Sequence, residues 1–465
     1  MTGGLGSALG LIGAFFPPDL SLSYLGAALV PVVQTIAMAA GGMLIACLVG
    51  VPLAMVIGAR LPGSGILYGA LSAVRAVPDL TLAILCVIVV GLGPAAGMSA
   101  LAVFYTAMVG KVFADLFRAA DWRPLEALRA TGASGLSVAL FGLFPLTLND
   151  LISMGCYSFE CAVRAAVIVG AVGGGGLGTE LVGTLNAFDY HRATTLIIIL
   201  VLIVTALDSL SWWLRRNPRV ILLFVPLGAA ALWTYRPEMV ALRHAASAIG
   251  AMFPPALPQG AINRLPRLFI ETVFIAVAGT ALAAALAIPL ALASARNMVP
   301  VPVASAVRAL LETLRAVPEV IWGLILVTLI GVGPIAGVFA LGIHSAGVLG
   351  KLYAESCENV RLAPVQAIES TGAGRLAVAF FGIVPLASGA MAVHTLFRLE
   401  WNLRAATVVG MIGAGGIGQA LYNAQQLFFY DQMMAYVLIT WAMVMLSDAL
   451  SARTRRHFGW AHVIG

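Results

Sequence analysis

The chain has 465 residues, 61% of them hydrophobic and only 10% charged, with a formal net charge of +6. A water-soluble domain carries about 25% charged residues, so a soluble enzyme is excluded. The positive charge does not indicate nucleic acid, because Arg215-Arg216-Asn217-Pro218-Arg219 and Arg453-Thr454-Arg455-Arg456 each follow an apolar run, the flank that the positive-inside rule assigns to the cytoplasm.

In chain order, Met1 to Phe16 lacks the basic start and cleavage site of a signal peptide and reads as a short amphipathic segment on the membrane face. Apolar stretches near the ~20 residues needed to cross a bilayer then recur. The first set falls at about residues 29–58, 66–92, 96–118, 146–182 (too long for one straight span, hence broken) and 192–214. The second falls at roughly 267–296, 306–331, 335–356, 386–422 and 433–452. The 50 glycines suit close helix packing in lipid. Cys47, Cys86, Cys156, Cys161 and Cys357 lie in or beside apolar runs with no CxxC pair or Cys/His cluster, so they read as buried thiols rather than disulfides or metal ligands.

The two sets are a tandem repeat. Arg75-Ala76-Val77-Pro78-Asp79 returns as Arg315-Ala316-Val317-Pro318-Glu319, a shift of 315 − 75 = 240. The GxGP turn at Gly91 (Gly331), Gly110-Lys111 (Gly350-Lys351), Thr131-Gly132-Ala133 (Thr371-Gly372-Ala373), Pro145 (Pro385) and Asp208 (Asp448) keep that register. Near the start, Phe16-Pro17-Pro18 matches Phe253-Pro254-Pro255 at 253 − 16 = 237. Residues 1–217 form the first repeat, and 218–465 the second with an additional leading span, Val220 to Tyr235. About eleven spans result. Five spans per repeat is odd, so the extra one re-inverts the chain and makes the repeats parallel rather than inverted. Lys/Arg bias then puts the N-terminus outside and the C-terminus in the cytoplasm, with Arg60, the loop Arg118–Arg129 and Arg215-Arg216 inside.

After the third span of each repeat comes its most polar loop: Asp121-Trp122-Arg123-Pro124-Leu125-Glu126-Ala127-Leu128-Arg129-Ala130-Thr131-Gly132-Ala133, and Arg361-Leu362-Ala363-Pro364-Val365-Gln366-Ala367-Ile368-Glu369-Ser370-Thr371-Gly372-Ala373. Each reads as a Pro at a helix start, a short helix, a Gly that ends it, and a second helix stopped near Pro145 or Pro385. Such a rigid pair can dock in a groove of a soluble partner. These loops resemble the EAA signature of ABC importer permeases. The stretches Glu312 to Trp322 and Glu400 to Gly410, continued by Gly413-Ala414-Gly415-Gly416-Ile417-Gly418, resemble the phosphonate permease family in particular.

That resemblance covers essentially the whole chain, once per repeat. It implies an all-α polytopic membrane protein, a tandem parallel repeat of a five-helix type I ABC importer permease core. It also implies two cytoplasmic ATP-binding cassette subunits, an external substrate-binding protein, the bacterial cytoplasmic membrane, and phosphonate or a related oxyanion (phosphate, phosphite) as cargo. Glu126, Ala127, Gly132, Gln366, Ala367 and Gly372 are then the ATPase-coupling residues. The permease is not an enzyme and binds no cofactor; ATP and Mg belong to the partner ATPase. The sequence departs from the signature at Gln366, where the family has Glu, at Leu128 and Ile368, where it has a second Ala, and at Gly173-Gly174-Gly175-Gly176-Leu177-Gly178. Most members have one repeat per chain; here the fused halves are free to differ, and Glu126 against Gln366 marks unequal docking loops.

The Gly-rich runs lack the GxxxxGK[ST] form and a preceding strand, and read as broken helices lining a pathway rather than phosphate loops. Ionisable residues within spans are functional candidates. Arg75 and Arg315 adjoin a Pro (Pro78, Pro318) that breaks the second span of each repeat, and Arg164 and Arg404 sit just before the Gly-rich break; in one reading the four form a pseudo-symmetric set of guanidinium groups matched to an oxyanion. In the other, Glu160–Arg164 and Glu400–Arg404 are self-neutralising i,i+4 pairs, and Asp208 and Asp448 pair with arginines at the membrane boundary. Two other functions use the same features: a methionine or betaine importer, which shares the loop, and an ion-coupled secondary transporter, which requires inverted repeats and intramembrane acidic sites. A non-catalytic scaffold leaves the broken helices and buried arginines without purpose.

Overall fold

The computed structural model describes residue 10 and residues 13–216, 224–236 and 239–457. The expected N-terminal segment and the first residues of the predicted linking span lie largely outside them. Contacts divide the chain into a unit Ile12–Ala251 and a unit built on Met252–Gly465.

The first unit comprises α1 (Leu22–Gly58), α2 (Ser64–Arg75), α3 (Asp79–Val90), α4 (Pro94–Ala119), α5 (Arg123–Ala130), α6 (Gly135–Gly174), α7 (Gly176–Asn186), α8 (Tyr190–Arg216), α9 (Phe224–Thr234) and α10 (Met239–Ala251). The second repeats the order as α11 (Ala261–Ser294), α12 (Val301–Ala316), α13 (Glu319–Ile330), α14 (Pro334–Glu358), α15 (Leu362–Glu369), α16 (Arg375–Ala414), α17 (Gly416–Gln426) and α18 (Tyr430–His457). The chain is a multi-pass membrane protein. Among the described residues, 8 helices are long and apolar enough to cross a bilayer, or up to 10 if each bent pair counts as one span.

The spans at 66–92 and 306–331 are broken at their prolines, as expected: α2 and α3 meet at 88°, α12 and α13 at 84°. The cause is Pro78 and Pro318, which lack an N–H and exclude the residue before them from the helical region. Asp79 Oδ1 accepts the Leu80 N–H at 2.8 Å and restarts the helix after the first bend. Ten of the expected spans are described, counting each bent pair as one; the eleventh, Val220 to Tyr235, begins outside the described residues, and its described part is α9, Phe224–Thr234. Though read as the leading span of the second repeat, α9 packs on α1: a Cβ at Gly228 would lie 2.9 Å from Leu44 Cβ. Sequence similarity divides the chain at 217/218, whereas contacts divide it at 251/252.

The second helix of each polar loop does not stop at its proline. Both α6 and α16 run on for 40 residues, because the turns Ala139–Leu143 and Ala379–Ile383 widen to a π-turn just ahead of Pro145 and Pro385. The Phe144 N–H reaches back five residues to the Ala139 carbonyl, and Val384 does the same to Ala379. One extra residue in the turn thus absorbs the missing proline donor.

The core of each unit is a close helix crossing, α1 on α4 and α11 on α14. Small residues make it possible. A Cβ at Gly42 would sit 2.8 Å from Leu101 Cβ, and one at Gly279 2.9 Å from Leu341 Cβ. Ala283, Ala287 and Ala291 continue the α11 stripe at 0% exposure.

Candidate functional site

Each polar loop presents a short helix whose outward face carries the residues singled out above. Glu126, Ala127 and Gly132 are exposed, as are Gln366, Ala367 and Gly372. The opposite face is anchored. Leu125 is 1% exposed and Val365 6%, and the next inward residues are Leu128 and Ile368. A Cβ at Gly142, within the π-turn of α6, would lie 2.7 Å from Leu125 Cδ2 and 3.2 Å from Leu128 Cδ1. At Gly382 of α16 it would lie 3.2 Å from Ile368 Cδ1. The departures from the second alanine of the signature are therefore the contacts that seat the loop helix on the spanning helix. Gly132 and Gly372 close the short helices with φ of +85° and +79°, a conformation that an L side chain disfavours. The two loops differ in their clamps: Trp122 lies between Arg60 at 5.6 Å and Arg129 at 5.3 Å, while its counterpart, 122 + 240 = 362, is the exposed Leu362.

The second feature is the glycine break expected within 146–182 and 386–422. It lies at Gly173–Gly176 and Gly413–Gly416, where φ is +96°, +85° and +73° at Gly173, Gly175 and Gly176. The GxGP turns pin it: the Gly93 N–H donates to the Gly173 carbonyl at 2.8 Å and the Gly333 N–H to Gly413 at 2.9 Å. Two polar residues not singled out from the sequence hold its far side. Thr35 Oγ1 accepts the Leu177 N–H at 2.8 Å and Gln34 Oε1 the Gly176 N–H at 3.2 Å. In the second unit Thr272 Oγ1 accepts from Ile417 at 3.0 Å and Glu271 Oε2 from Gly416 at 3.2 Å, with Arg267 Nε 2.9 Å from Glu271 Oε1. These capped amides open α7 and α17. The signal was present: Gln34-Thr35 and Glu271-Thr272 share the shift of 237 and stand alone as polar pairs in apolar spans.

The charged residues are brought together only in part. Glu160, 4% exposed, accepts from Arg164 Nη2 at 2.6 Å, the expected i,i+4 pair. In the second unit Arg404 Nη2 lies 3.7 Å from Asp448 Oδ1 of α18, with its guanidinium 5.5 Å from the Trp401 ring. Asp448 thus ties α18 to α16; its expected pairing with Arg455 and Arg456 falls on side chains outside the described residues. Arg75 and Arg315 occupy the last turns before the two bends, half-buried.

A family model described as a binding-protein-dependent transport system inner membrane component matches residues 46–220 and again residues 287–458. The chain is 32% identical over 457 residues to the phosphate-import permease protein PhnE of Mycolicibacterium smegmatis, covering 91% of this chain and 84% of that one. It is 36% identical over 253 residues to the phosphite transport system permease protein PtxC of Stutzerimonas stutzeri, covering 54% of this chain and 92% of that one. Among solved structures, the inward-facing methionine ABC transporter MetNI is similar at 18% identity with a TM-score of 0.39, over 43% of this chain and 99% of that chain.

Proposed function

The chain belongs to the family of binding-protein-dependent transport system inner membrane components, and from that premise we propose that it is the substrate-conducting half of an importer for phosphonate or a related oxyanion, phosphate or phosphite. It is a permease subunit of an ABC importer, not an enzyme. One observation carries the cargo assignment: similarity to a phosphate-import permease runs through both repeats, over 91% of the chain.

Two cytoplasmic ATP-binding cassette subunits, holding ATP and Mg, dock on α5 and α15 through Glu126, Ala127, Gly132, Gln366, Ala367 and Gly372, all of which are exposed. Their closure is passed to α6 and α16 through the buried Leu125 and Val365, and access alternates. An external binding protein delivers the anion, with the N-terminus outside and the C-terminus in the cytoplasm. Arg75, Glu160 and Arg164 in the first unit, and Arg315, Glu400 and Arg404 in the second, line the pathway. An anion crossing low-dielectric protein needs such cations, and Arg forks suit tetrahedral oxyanions.

The test is uptake by the reconstituted complex, with phosphonate, phosphite, phosphate and methionine in competition. Oxyanion uptake that stops without ATP is expected. Uptake of methionine alone overturns the cargo assignment, and uptake without any ATPase subunit overturns the importer mechanism.

A further inference from the structure

Four polar side chains meet in the core of the second unit. Arg398 of α16, 9% exposed, donates from Nε to Ser345 Oγ of α14 at 2.8 Å. Ser345 Oγ donates in turn to Asn402 Oδ1 at 2.9 Å, and Asn402 Nδ2 to Thr280 Oγ1 of α11 at 2.9 Å. The chain ends on backbone, where Thr280 Oγ1 donates to the Ala276 carbonyl at 2.7 Å. Ser345, Asn402 and Thr280 are 0%, 0% and 4% exposed.

The first repeat is an internal control for what the fold itself needs. The counterparts are Met43 (280 − 237), Tyr105 (345 − 240), Ser158 (398 − 240) and Ala162 (402 − 240). All four are buried, at 7%, 2%, 1% and 0% exposure, and they pack the same three helices with no charge and no amide. The network is therefore not a requirement of the architecture. Burying a guanidinium within a membrane span is costly, and a polar chain that fixes its Nε costs side-chain freedom in three more residues. What the chain gains is an oriented cation: with Nε held by Ser345, the plane of the fork is set by α11 and α14 together.

We infer that Arg398 is a cargo-contacting residue for a tetrahedral oxyanion, supplied by the second repeat alone, with Ser345 and Asn402 as its positioning residues. This rests on the oxyanion reading above. The first repeat contributes no equivalent, so selectivity is unevenly divided between the halves of the chain. Because Arg398 is nine-tenths buried, the anion reaches it only in a state where the spans part.

The experiment uses the full complex with its ATPase and binding-protein partners in proteoliposomes, and measures inorganic phosphate imported per ATP hydrolysed. Arg398→Gln is expected to lower that ratio at least tenfold while phosphate-loaded binding protein still stimulates the ATPase. Arg398→Lys keeps the charge but loses the fork, and falls in between. Asn402→Ala and Ser345→Ala lower the ratio three- to tenfold; Ser158→Ala leaves it unchanged. A structural role alone moves expression and melting temperature but not the ratio, so a wild-type ratio in Arg398→Gln overturns the inference. If that variant fails to fold, a wild-type ratio in Arg398→Lys and Asn402→Ala overturns it equally. A wild-type complex that imports methionine and no phosphate overturns the proposed function instead.

Discussion

Among the described glycines, the tightest backbone approach is at Gly178 and Gly418, where the half-helix after each glycine break folds against its spanning helix. A Cβ on Gly178 would overlap the Val167 carbonyl oxygen, with Ala171 N and Gly170 Cα both at 2.9 Å. On Gly418 it would overlap the Thr407 carbonyl oxygen, with Gly410 Cα at 3.1 Å. These are backbone atoms, so no rotamer change relieves the clash. Gly178→Ala is expected at the upper end of overpacking costs, about 3 kcal/mol. Gly183, on the same α7, has nothing within 4 Å of a built Cβ. There Ala removes only the helical glycine penalty, a gain of up to about 1 kcal/mol. The two variants should differ by about 4 kcal/mol, or roughly 8–16 °C at 2–4 °C per kcal/mol for a unit of this size. The assay is thermal unfolding of the complex in lipid nanodiscs, followed by tryptophan fluorescence at one fixed scan rate, so that melting temperatures stay comparable if unfolding is irreversible. Gly178→Ala melting within about 2 °C of Gly183→Ala refutes the close-approach account.

Other outcomes are equally specific. Thr35→Val and Thr272→Val each strand a buried amide at the break, costing about 1–3 kcal/mol; hydrogen exchange at 176–179 and 416–419 should rise, and Thr→Ser should restore protection. Glu160→Gln or Arg164→Gln alone leaves a buried unpaired charge and costs about 3–5 kcal/mol, while the double variant costs less than either single, a sign measurable in a double-mutant cycle of melting temperatures. Gly132→Val forces a β-branched residue to φ +85°; ATPase stimulation by loaded binding protein should fall while gel-filtration profile and melting stay near wild type. Hydrogen bonds from the Ser21 side chain and backbone, then Arg192, hold the Asp19 carboxyl below its usual value. A depressed carboxylate stabilises above its unfolded pKa and loses that contribution as pH falls through the folded one. Proteolysis of the 13–21 segment, which is tied to α8 by Thr195 Oγ1 donating to the Asp19 carbonyl at 2.8 Å, should therefore accelerate below about pH 4, and Asp19→Asn should remove that dependence.

What the sequence discloses is what lies close in the chain or recurs in it. The glycine break, the proline bends at Pro78 and Pro318, the short loop helices and the Glu160–Arg164 pair are local, set by spacings of four residues or fewer. The repeat adds comparison, which is how Glu126 and Gln366 stand out as unequal. Contacts that close over long stretches of chain leave no such trace. Packing brings Asp448 to within 3.7 Å of Arg404 across 44 residues of chain. Asn402 reaches Thr280 across 122 residues, and Leu177 reaches Thr35 across 142. Pro145 and Pro385 mislead for a different reason: a proline within a helix reads as a stop, and nothing in its neighbours announces the wider turn that accommodates it.

Those wider turns have a mechanical consequence. A proline kink would make a hinge between the loop helix and the membrane, and a hinge dissipates displacement. With the defect taken up inside Ala139–Leu143, the helix runs without a sharp bend from Gly135 to the non-helical Val172, about 55 Å at 1.5 Å per residue. Leu125 presses on one end of that rod and the pinned glycines form its bearing at the other. Under the proposed coupling, a tilt of a few degrees at α5 would become a lateral stroke of several ångströms at the far end, and the stiffness of α6 would set how little motion the loop needs to receive.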